Sequence, residues 1–200
     1  MSRDFIHRYL PGSSGETLLL LHGTGGNEES LVELGRILSP AATLLSPRGQ
    51  VLEQGSVPRF FRRLAEGVFD EADLVARTAD LAGFVRDSAA RYGFDPGRVT
   101  AVGFSNGANI AASTLLLHPG VLSRAVLLRA MVPLEPAPVR LDGTKVWLGA
   151  GRFDPIVPPA NTERLGELLA ARGAEVTLDW REAGHQLARG EVEAIQGWLN

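Results

Sequence analysis

The sequence predicts an α/β fold in which a mostly parallel central sheet is covered by helices on both faces. Short, largely apolar runs alternate along the chain with stretches of helical periodicity. Runs without polar alternation are typical of strands buried on both faces, and strands that alternate with helices are joined by crossovers that make them parallel. A chain of 200 residues with 44% hydrophobic side chains supports one core and not two. We therefore expect a single domain over residues 1–200.

Five runs predict buried strands, and a sixth segment predicts a strand nearer the edge of the sheet. The buried runs are 17–21, 42–45, 98–102, 124–128 and 145–148. Segment 175–180 alternates between polar and apolar residues, which is typical of a strand with one face towards solvent. Ligands of parallel sheets bind at the carboxyl ends of the strands. The residues that follow these runs are therefore the first candidates for chemistry.

The stretches between the strands carry the start and stop signals of helices. Asn27 is a favoured N-cap, Pro40 closes the first helix, Asp70 begins a longer one, and Gly93 is a favoured residue just beyond a helix end. The predicted helices run from Asn27 to Pro40, from Asp70 to Gly93, from Pro159 to Arg172 and from about Gly190 onwards. A further helix, rich in small residues, follows Ser105.

The composition excludes several classes of function. The formal net charge is −3, so the chain lacks the positive surplus of a nucleic-acid-binding protein. The absence of cysteine excludes disulfides, thiolate metal sites and a cysteine nucleophile. The apolar runs are too short to span a membrane, and residues 1–8 lack the apolar core of a secretory signal. We therefore expect a cytoplasmic protein without nucleic-acid partners or membrane spans.

One motif indicates nucleophilic catalysis. The strand at 98–102 runs into Gly103-Phe104-Ser105-Asn106-Gly107, which matches the pattern G-x-S-x-G. In such a turn the serine has a strained backbone, and the glycines on either side avoid a clash between the strand and the following helix. The amino end of that helix would direct free amides and the positive end of its dipole at an oxyanion. The alternative is a tight turn in which Ser105 only caps the helix.

The serine needs a base, and the chain offers four histidines. Where G-x-S-x-G carries a nucleophile, the acid and then the histidine follow it along the chain. His185 comes after the last predicted strand and fits this order. His7 is expected at the surface, His22 is expected to pack beside the glycines of the first buried strand, and His118 is expected at the far end of the helix after Ser105.

Asp154 is the best candidate for the acid that orients the histidine. It lies just beyond the strand at 145–148, in a turn stiffened by Pro155. Asp142 precedes that strand and should lie at the opposite edge of the sheet, while Asp179 lies within a strand. The alternative for Asp154 is an ordinary Asp-Pro turn.

The backbone N–H groups of Thr24 and Asn106 are the expected donors to a tetrahedral oxyanion. Thr24 lies in a glycine-rich loop at the end of the first buried strand, and Asn106 directly follows the candidate nucleophile. The same loop could cradle a phosphate, but it lacks the lysine of a P-loop and the third glycine of a dinucleotide-binding motif. Without cysteine, H-E-x-x-H or a close histidine pair, no metal site is expected.

The motifs Leu-His-Gly-Thr-Gly-Gly, Gly-Phe-Ser-Asn-Gly-Ala-Asn, Arg-Phe-Asp-Pro-Ile-Val-Pro and Ala-Gly-His occur in this order along the chain. In this the sequence resembles the phospholipase/carboxylesterase family of α/β-hydrolases, to which acyl-protein thioesterases belong, and especially its bacterial branch of small serine esterases. The resemblance implies an α/β-hydrolase fold without a large lid, a Ser105–Asp154–His185 triad, a Thr24/Asn106 oxyanion hole, no cofactor, and pairing as a homodimer. One departure is Asn106, where the thioesterases usually carry glutamine.

The expected substrate is a small carboxylic ester with a short or medium acyl chain. The alternative function is that of an acyl thioesterase or a lysophospholipase with the same triad.

Segment 46–69 follows a strand end and could fold over the nucleophile. Phe60 and Phe61 would then contact an acyl or aryl group, and Arg62 or Arg63 an anion. The alternative is that the aromatic rings pack inward and the arginines are solvated. Two further pocket candidates, Met131 and Val132, follow another strand end. An acyltransferase and a non-enzymatic binding protein are more remote alternatives.

Overall fold

The computed structural model describes residues 4–200, and its centre is a seven-stranded sheet. The strands of the described residues are β1 (His7–Leu10), β2 (Thr17–Leu21), β3 (Thr43–Pro47), β4 (Val51–Glu53), β5 (Val57–Arg59), β6 (Arg63–Ala65), β7 (Val68–Phe69), β8 (Val99–Phe104), β9 (Arg124–Leu128), β10 (Lys145–Gly151) and β11 (Glu175–Arg181). The sheet has the order β1-β3-β2-β8-β9-β10-β11. Only β1 is antiparallel to its neighbour. The predicted mostly parallel sheet is confirmed.

Five helices pack on the two faces of this sheet. They are α1 (Val32–Leu38), α2 (Glu71–Tyr92), α3 (Asn106–Leu117), α4 (Pro159–Ala170) and α5 (Glu191–Leu199). The larger core cluster lies between the sheet and α2, α3 and α4, and the smaller one between the sheet and α1 and α5. Coverage of both faces, as predicted, explains why β2, β8 and β9 are almost wholly apolar.

The predicted ends of α2 are confirmed, whereas the predicted start of α1 is wrong. The Asp70 side chain accepts a hydrogen bond from Asp73 N at 3.0 Å, and Gly93 has φ +75°, so both ends of α2 are as predicted. The first helix begins at Val32 rather than after Asn27. Asn27 Oδ1 instead accepts from Glu29 N at 2.9 Å and closes a local turn, which competes with helix formation.

Segment 46–69, expected to be the least regular part of the chain, forms two small hairpins. Strands β4 and β5 pair antiparallel, as do β6 and β7, and neither hairpin joins the central sheet. Both hairpins follow the carboxyl end of β3. They therefore stand at the edge of the sheet where ligands of parallel sheets bind.

No helix of residues 4–200 is long and apolar enough to cross a membrane. The expected absence of a secretory signal rests partly on residues 1–3, which lie outside the described residues. The cytoplasmic location, the single domain and the homodimer stay predictions.

Candidate active site

Ser105 occupies a strained turn between β8 and α3. Its φ of +53° and ψ of −114° lie outside the regions that residues with a Cβ usually adopt. Its backbone N–H donates to Leu128 O on the neighbouring strand at 2.8 Å, and its carbonyl accepts from Asn109 N in the helix at 2.9 Å. The turn is therefore held from both sides, and it presents the hydroxyl at the carboxyl edge of the sheet.

The two glycines of the motif are required by close backbone approach. A Cβ on Gly103 would lie 2.7 Å from the backbone nitrogen of Ala108, and a Cβ on Gly107 would overlap the carbonyl of Leu21. Both approaches bring α3 and β2 so close to the turn that no side chain fits. This is the physical reason for glycine two residues before and two residues after Ser105.

Ser105, His185 and Asp154 form one hydrogen-bonded chain. His185 Nε2 lies 2.9 Å from Ser105 Oγ, and His185 Nδ1 lies 2.8 Å from Asp154 Oδ2. Because a carboxylate only accepts, Nδ1–H donates to Asp154, and Nε2 is left to accept the proton of the Ser105 hydroxyl. The three residues come from the ends of β8, β10 and β11, and only the parallel sheet brings them together.

The Asp154 carboxylate is held rigidly. Its side chain is 1% exposed, and its second oxygen, Oδ1, accepts from Ile156 N at 2.8 Å and from Val157 N at 3.0 Å. Two backbone donors on one oxygen and the imidazole on the other fix the plane of the carboxylate and hence the ring of His185.

His22 lies at the same edge and performs a different task. It is buried; its Nδ1–H donates to Gly23 O at 2.7 Å, and its Nε2 accepts from Gly49 N at 2.9 Å. Burial lowers the pKa of His22, which favours the neutral ring that these two bonds require. His22 therefore fastens the glycine-rich loop to the segment after β3.

The candidate oxyanion donors, Thr24 and Asn106, are both tied to the carboxyl end of β5, the first to its last residue and the second to the residue that follows. Arg59 Nη1 donates to Thr24 Oγ1 at 2.7 Å, and Phe60 N donates to Asn106 Oδ1 at 2.8 Å. Asn106 is also the first residue of α3, where backbone N–H groups have no acceptor within the helix. Two adjacent residues of one segment thus hold both sides of the expected oxyanion hole.

A buried ion pair, which our sequence reasoning missed, holds the loop that carries His185. Arg129 and Glu191 have fully buried side chains and form two charge-assisted bonds, of 2.7 and 2.8 Å. Arg129 also donates to Gly184 O at 3.1 Å and to Gln186 O at 2.6 Å, the carbonyls on either side of His185. The available signal was an arginine placed directly after a buried strand, where burial of its charge requires a partner.

Ser105 and His185 line a cleft of about 370 Å³. One wall is the carboxyl edge of the sheet, with Thr24, Asn106 and Met131, and the other wall includes Arg59 and Arg63 from the two hairpins. Phe69 and Phe104 contribute apolar surface. Of the six residues expected to line a substrate pocket, only Arg63 and Met131 line this cleft.

Phe60 and Phe61 do not line the cleft, which corrects our expectation. They are 1% and 0% exposed and belong to the main core, where Phe60 packs on His22 and Phe61 packs edge-on against Phe69. Burial of two large aromatic side chains stabilises the segment more than exposure at a cleft would. The inward-packing alternative is the correct one for these rings.

Arg62 and Val132 also lie away from the cleft. Arg62 is paired with Asp70 at 2.9 Å, and its side chain is 62% exposed to solvent. Val132 packs against the core, and its backbone N–H donates to Asn161 Oδ1 at 2.7 Å. Arg62 pairs with Asp70 and Asp73 at the start of α2, whereas Arg63 pairs with Glu53 of the first hairpin, a difference that sequence spacing alone did not predict. Arg59 does line the cleft, although nothing in the sequence distinguished it from the neighbouring arginines.

Comparisons with known proteins match nearly the whole chain to one family. A family model described as Phospholipase/Carboxylesterase matches residues 12–200. The hydrolase MhqD of Bacillus subtilis (strain 168) is 48% identical over 193 residues, which make up 96% of this chain and 96% of that protein.

Two carboxylesterase crystal structures have closely similar folds. The Bacillus cereus carboxylesterase matches with a TM-score of 0.93 and 47% identity, covering 96% of this chain and 91% of that one. The Mesorhizobium loti carboxylesterase matches with a TM-score of 0.89 and 36% identity, covering 94% of this chain and 90% of that one.

Proposed function

Because this chain belongs to the phospholipase/carboxylesterase family of hydrolases, we propose that it hydrolyses carboxylic esters of short to medium acyl chain through Ser105, His185 and Asp154. The observation that carries the proposal is the hydrogen-bonded chain from Ser105 Oγ to His185 to Asp154, with steps of 2.9 and 2.8 Å. Each of the three groups stands in the order and geometry that nucleophilic catalysis by a serine requires.

In the first half-reaction Ser105 is acylated. The hydroxyl proton passes to His185 Nε2 as Oγ attacks the carbonyl carbon of the ester, and a tetrahedral oxyanion forms. The imidazolium then donates that proton to the leaving alkoxide oxygen, the C–O bond breaks, and the alcohol departs. Asp154 stays ionised throughout, because it holds the ring in one tautomer and stabilises its charged form.

In the second half-reaction water replaces the alcohol. His185 Nε2 takes a proton from a water molecule whose oxygen attacks the acyl-enzyme carbonyl. The second tetrahedral intermediate collapses with return of the proton to Ser105 Oγ, and the carboxylic acid leaves. The oxyanion of both intermediates is stabilised by the backbone N–H groups of Thr24 and Asn106, each worth on the order of 10²–10³ in rate.

The dimensions of the cleft support small substrates. Its volume is about 370 Å³, at the lower end of roughly 300–1,000 Å³ for small-molecule sites. Its outer wall consists of two hairpins with strands of two or three residues. This geometry favours a short acyl chain over the long chains of lysophospholipids. A thioesterase with a short acyl group would use the same triad and is the second candidate.

Labelling with a fluorophosphonate probe tests the nucleophile. The wild-type protein should become labelled at Ser105, and Ser105→Ala should stay unlabelled while it unfolds at a similar temperature. A series of 4-nitrophenyl esters from acetate to laurate then tests chain length, with the largest kcat/KM expected at or below about eight carbons. Labelling of Ser105→Ala would disprove the assignment, and a maximum at laurate would favour a lipid substrate.

A further inference from the structure

The hairpin wall of the cleft carries two arginines and one glutamate between them. Glu53 Oε2 lies 3.3 Å from Arg59 Nη1, and Glu53 Oε1 lies 2.8 Å from Arg63 Nη2. Neither arginine forms another ion pair among residues 4–200. Two guanidinium groups therefore share one carboxylate, and the group of three has a surplus of one positive charge.

Arg59 carries donors that the protein leaves unused. Its side chain is only 4% exposed; Nε donates to Phe61 O at 3.2 Å, and Nη1 donates to Thr24 Oγ1 at 2.7 Å. Within residues 4–200, Nη2 donates to no acceptor, although Arg59 lines the cleft. A largely buried cation with free N–H groups at a cleft is a favourable position for an anion.

The pKa of Arg59 is consistent with a surplus of positive charge on the hairpin wall. Burial, followed by repulsion from Arg63, holds the pKa of the Arg59 guanidinium below its ordinary value, and Glu53 offsets this only in part. A cation whose charged form is disfavoured gains stability from an anion placed beside it.

The arginines lie close to the reacting atoms. Arg59 contacts Thr24, whose backbone N–H is the proposed donor to the oxyanion, and both arginines line the same cleft as Ser105 and His185. An anionic group held by Arg59 and Arg63 and an ester carbonyl at Ser105 would therefore lie within one cleft of about 370 Å³, which one small molecule can span.

Glu66 is the opposing charge in this cleft. It lies at the turn of the second hairpin, is exposed, and forms no ion pair within residues 4–200. An exposed carboxylate is screened by water and salt, whereas Arg59 is buried. Glu66 therefore weakens the surplus at the rim of the cleft without neutralising Arg59.

We propose that Arg59 and Arg63 form a carboxylate subsite, and that the preferred substrates are short esters bearing a carboxylate two or three carbons from the ester group. This inference rests on the proposed esterase function and narrows its substrate class. The subsite orients the ester by one charge-assisted contact, while Phe69 and Phe104 cover the apolar part of the substrate.

Paired esters that differ only in charge test the subsite. Monomethyl succinate is compared with methyl butyrate for a carboxylate on the acyl part, and 3-acetoxypropanoate with propyl acetate for one on the alcohol part. Release of acid is followed in a pH-stat at pH 7.5. The readout is the ratio of kcat/KM for the anionic ester to that for its neutral match, in which any general loss of activity cancels.

We expect the wild-type ratio to exceed about 10 in at least one pair, the size of one charge-assisted bond. Arg63→Gln should lower that ratio about tenfold, and Arg62→Gln, one residue away and directed outward, should leave it unchanged. Arg63 is the primary variant because its side chain is 30% exposed, whereas loss of Arg59 also removes its bond to Thr24. Added salt should lower the wild-type ratio and not that of Arg63→Gln.

The outcomes separate the two proposals. Hydrolysis of neutral esters with ratios near 1 in both pairs would overturn the subsite and leave the esterase function standing. An equal effect of Arg62→Gln and Arg63→Gln would also overturn it, since only general surface charge would then act. If no ester is hydrolysed, the proposed esterase function is wrong, and the carboxylate subsite is then tested separately by calorimetric titration with succinate. Binding that is weakened by Arg63→Gln and not by Arg62→Gln supports the subsite, and equal binding overturns it.

Discussion

The two walls of the cleft are built by different physical means. On the sheet wall, Asp154 and the Arg129–Glu191 pair are almost fully buried and satisfied by short hydrogen bonds. On the hairpin wall, Leu64 is 73% exposed and Val68 is 51% exposed, and the strands have two or three residues. The proposed catalytic groups thus stand on a buried, fully hydrogen-bonded wall, whereas the hairpin wall combines the buried Arg59 with side chains that face solvent.

Substitutions on the two walls should therefore have different effects, on the rate of reaction for one wall and on substrate preference for the other. A substitution on the sheet wall leaves a buried partner unsatisfied, and it should lower kcat or stability. A substitution at a solvent-facing residue of the hairpin wall should change KM and the substrate ratio with little effect on folding. The predictions below test this contrast, beginning with the largest expected effect.

The largest effect is expected within the triad. His185→Ala should lower kcat about 10⁶-fold, and Asp154→Ala should lower it about 10⁴-fold, because the three groups act as a unit and the acid only orients and stabilises the imidazole. Steady-state hydrolysis of 4-nitrophenyl acetate measures both losses. A loss below about tenfold for His185→Ala would contradict its role as base.

The next effect is expected at the buried ion pair of the sheet wall. Arg129→Met should destabilise the protein by about 3–5 kcal/mol, because it leaves the Glu191 charge buried without a partner. The double variant Arg129→Met/Glu191→Leu removes both charges and should recover much of that loss. Urea unfolding measures the stabilities. A single variant as stable as the wild type would show that the pair does not hold this wall.

The double variant also separates stability from positioning. It lacks the bonds to Gly184 O and Gln186 O, so kcat for 4-nitrophenyl acetate should stay below the wild-type value even where stability returns. Arg129→Lys keeps one charge and should recover more activity than Arg129→Met. Equal activity of the double variant, Arg129→Lys and Arg129→Met would mean that the bonds from Arg129 to Gly184 O and Gln186 O do not orient His185.

A smaller effect is expected on the hairpin wall. Phe69→Ala should lower kcat/KM about tenfold for 4-nitrophenyl butyrate and less for the acetate, because it removes apolar surface from the cleft. The matched change Leu64→Ala, at a side chain 73% exposed, should alter stability by less than about 0.5 kcal/mol and leave both rates unchanged. Equal losses for both esters with Phe69→Ala would contradict its contact with the acyl chain.

The smallest effect is expected from pH. Burial lowers the folded-state pKa of His22 below its ordinary value near 6.5, so the unfolded chain binds more protons between these two values. Stability should therefore be constant above pH 6.5 and should fall as the pH drops below it. Thermal unfolding between pH 8 and 5 measures this.

His22→Asn provides the control for that pH dependence. It should be less stable than the wild type at pH 8 and should lose less between pH 8 and 5. His118, whose pKa is also lowered by burial and by Arg86, accounts for part of the remaining slope. Parallel pH profiles of wild type and His22→Asn would rule out His22 as the source.

Local signals predicted the strands and the nucleophile turn well. The continuous apolar runs correspond to β2, β3, β8, β9 and β10, because burial on both faces leaves no place for a polar residue. The glycines around Ser105 follow from close packing of a strand and a helix at that turn. The start of α1 was wrong, since the side chain of Asn27 bonds locally rather than capping a helix.

Contacts between segments that are far apart in the sequence could not be predicted from local sequence patterns. Phe60 and Phe61 have the same apolar character in a core as in a cleft, and only the tertiary contacts, such as those with His22 and Phe69, bury both rings. Arg62 and Arg63 are adjacent and chemically identical, but Arg62 pairs with Asp70 whereas Arg63 pairs with Glu53 and lines the cleft.

The fold class, the strained turn at Ser105 and the chain order of the candidate serine, acid and histidine could be predicted from the sequence, because these depend on burial patterns, glycine positions and chain order. The tertiary structure alone decided the Arg129–Glu191 clamp on the His185 loop and the three-residue group of Arg59, Arg63 and Glu53. The physical reason is that charge pairing in a folded chain depends on distances between side chains far apart in sequence. Arg129 and Glu191 are separated by 62 positions and meet only after the sheet has formed.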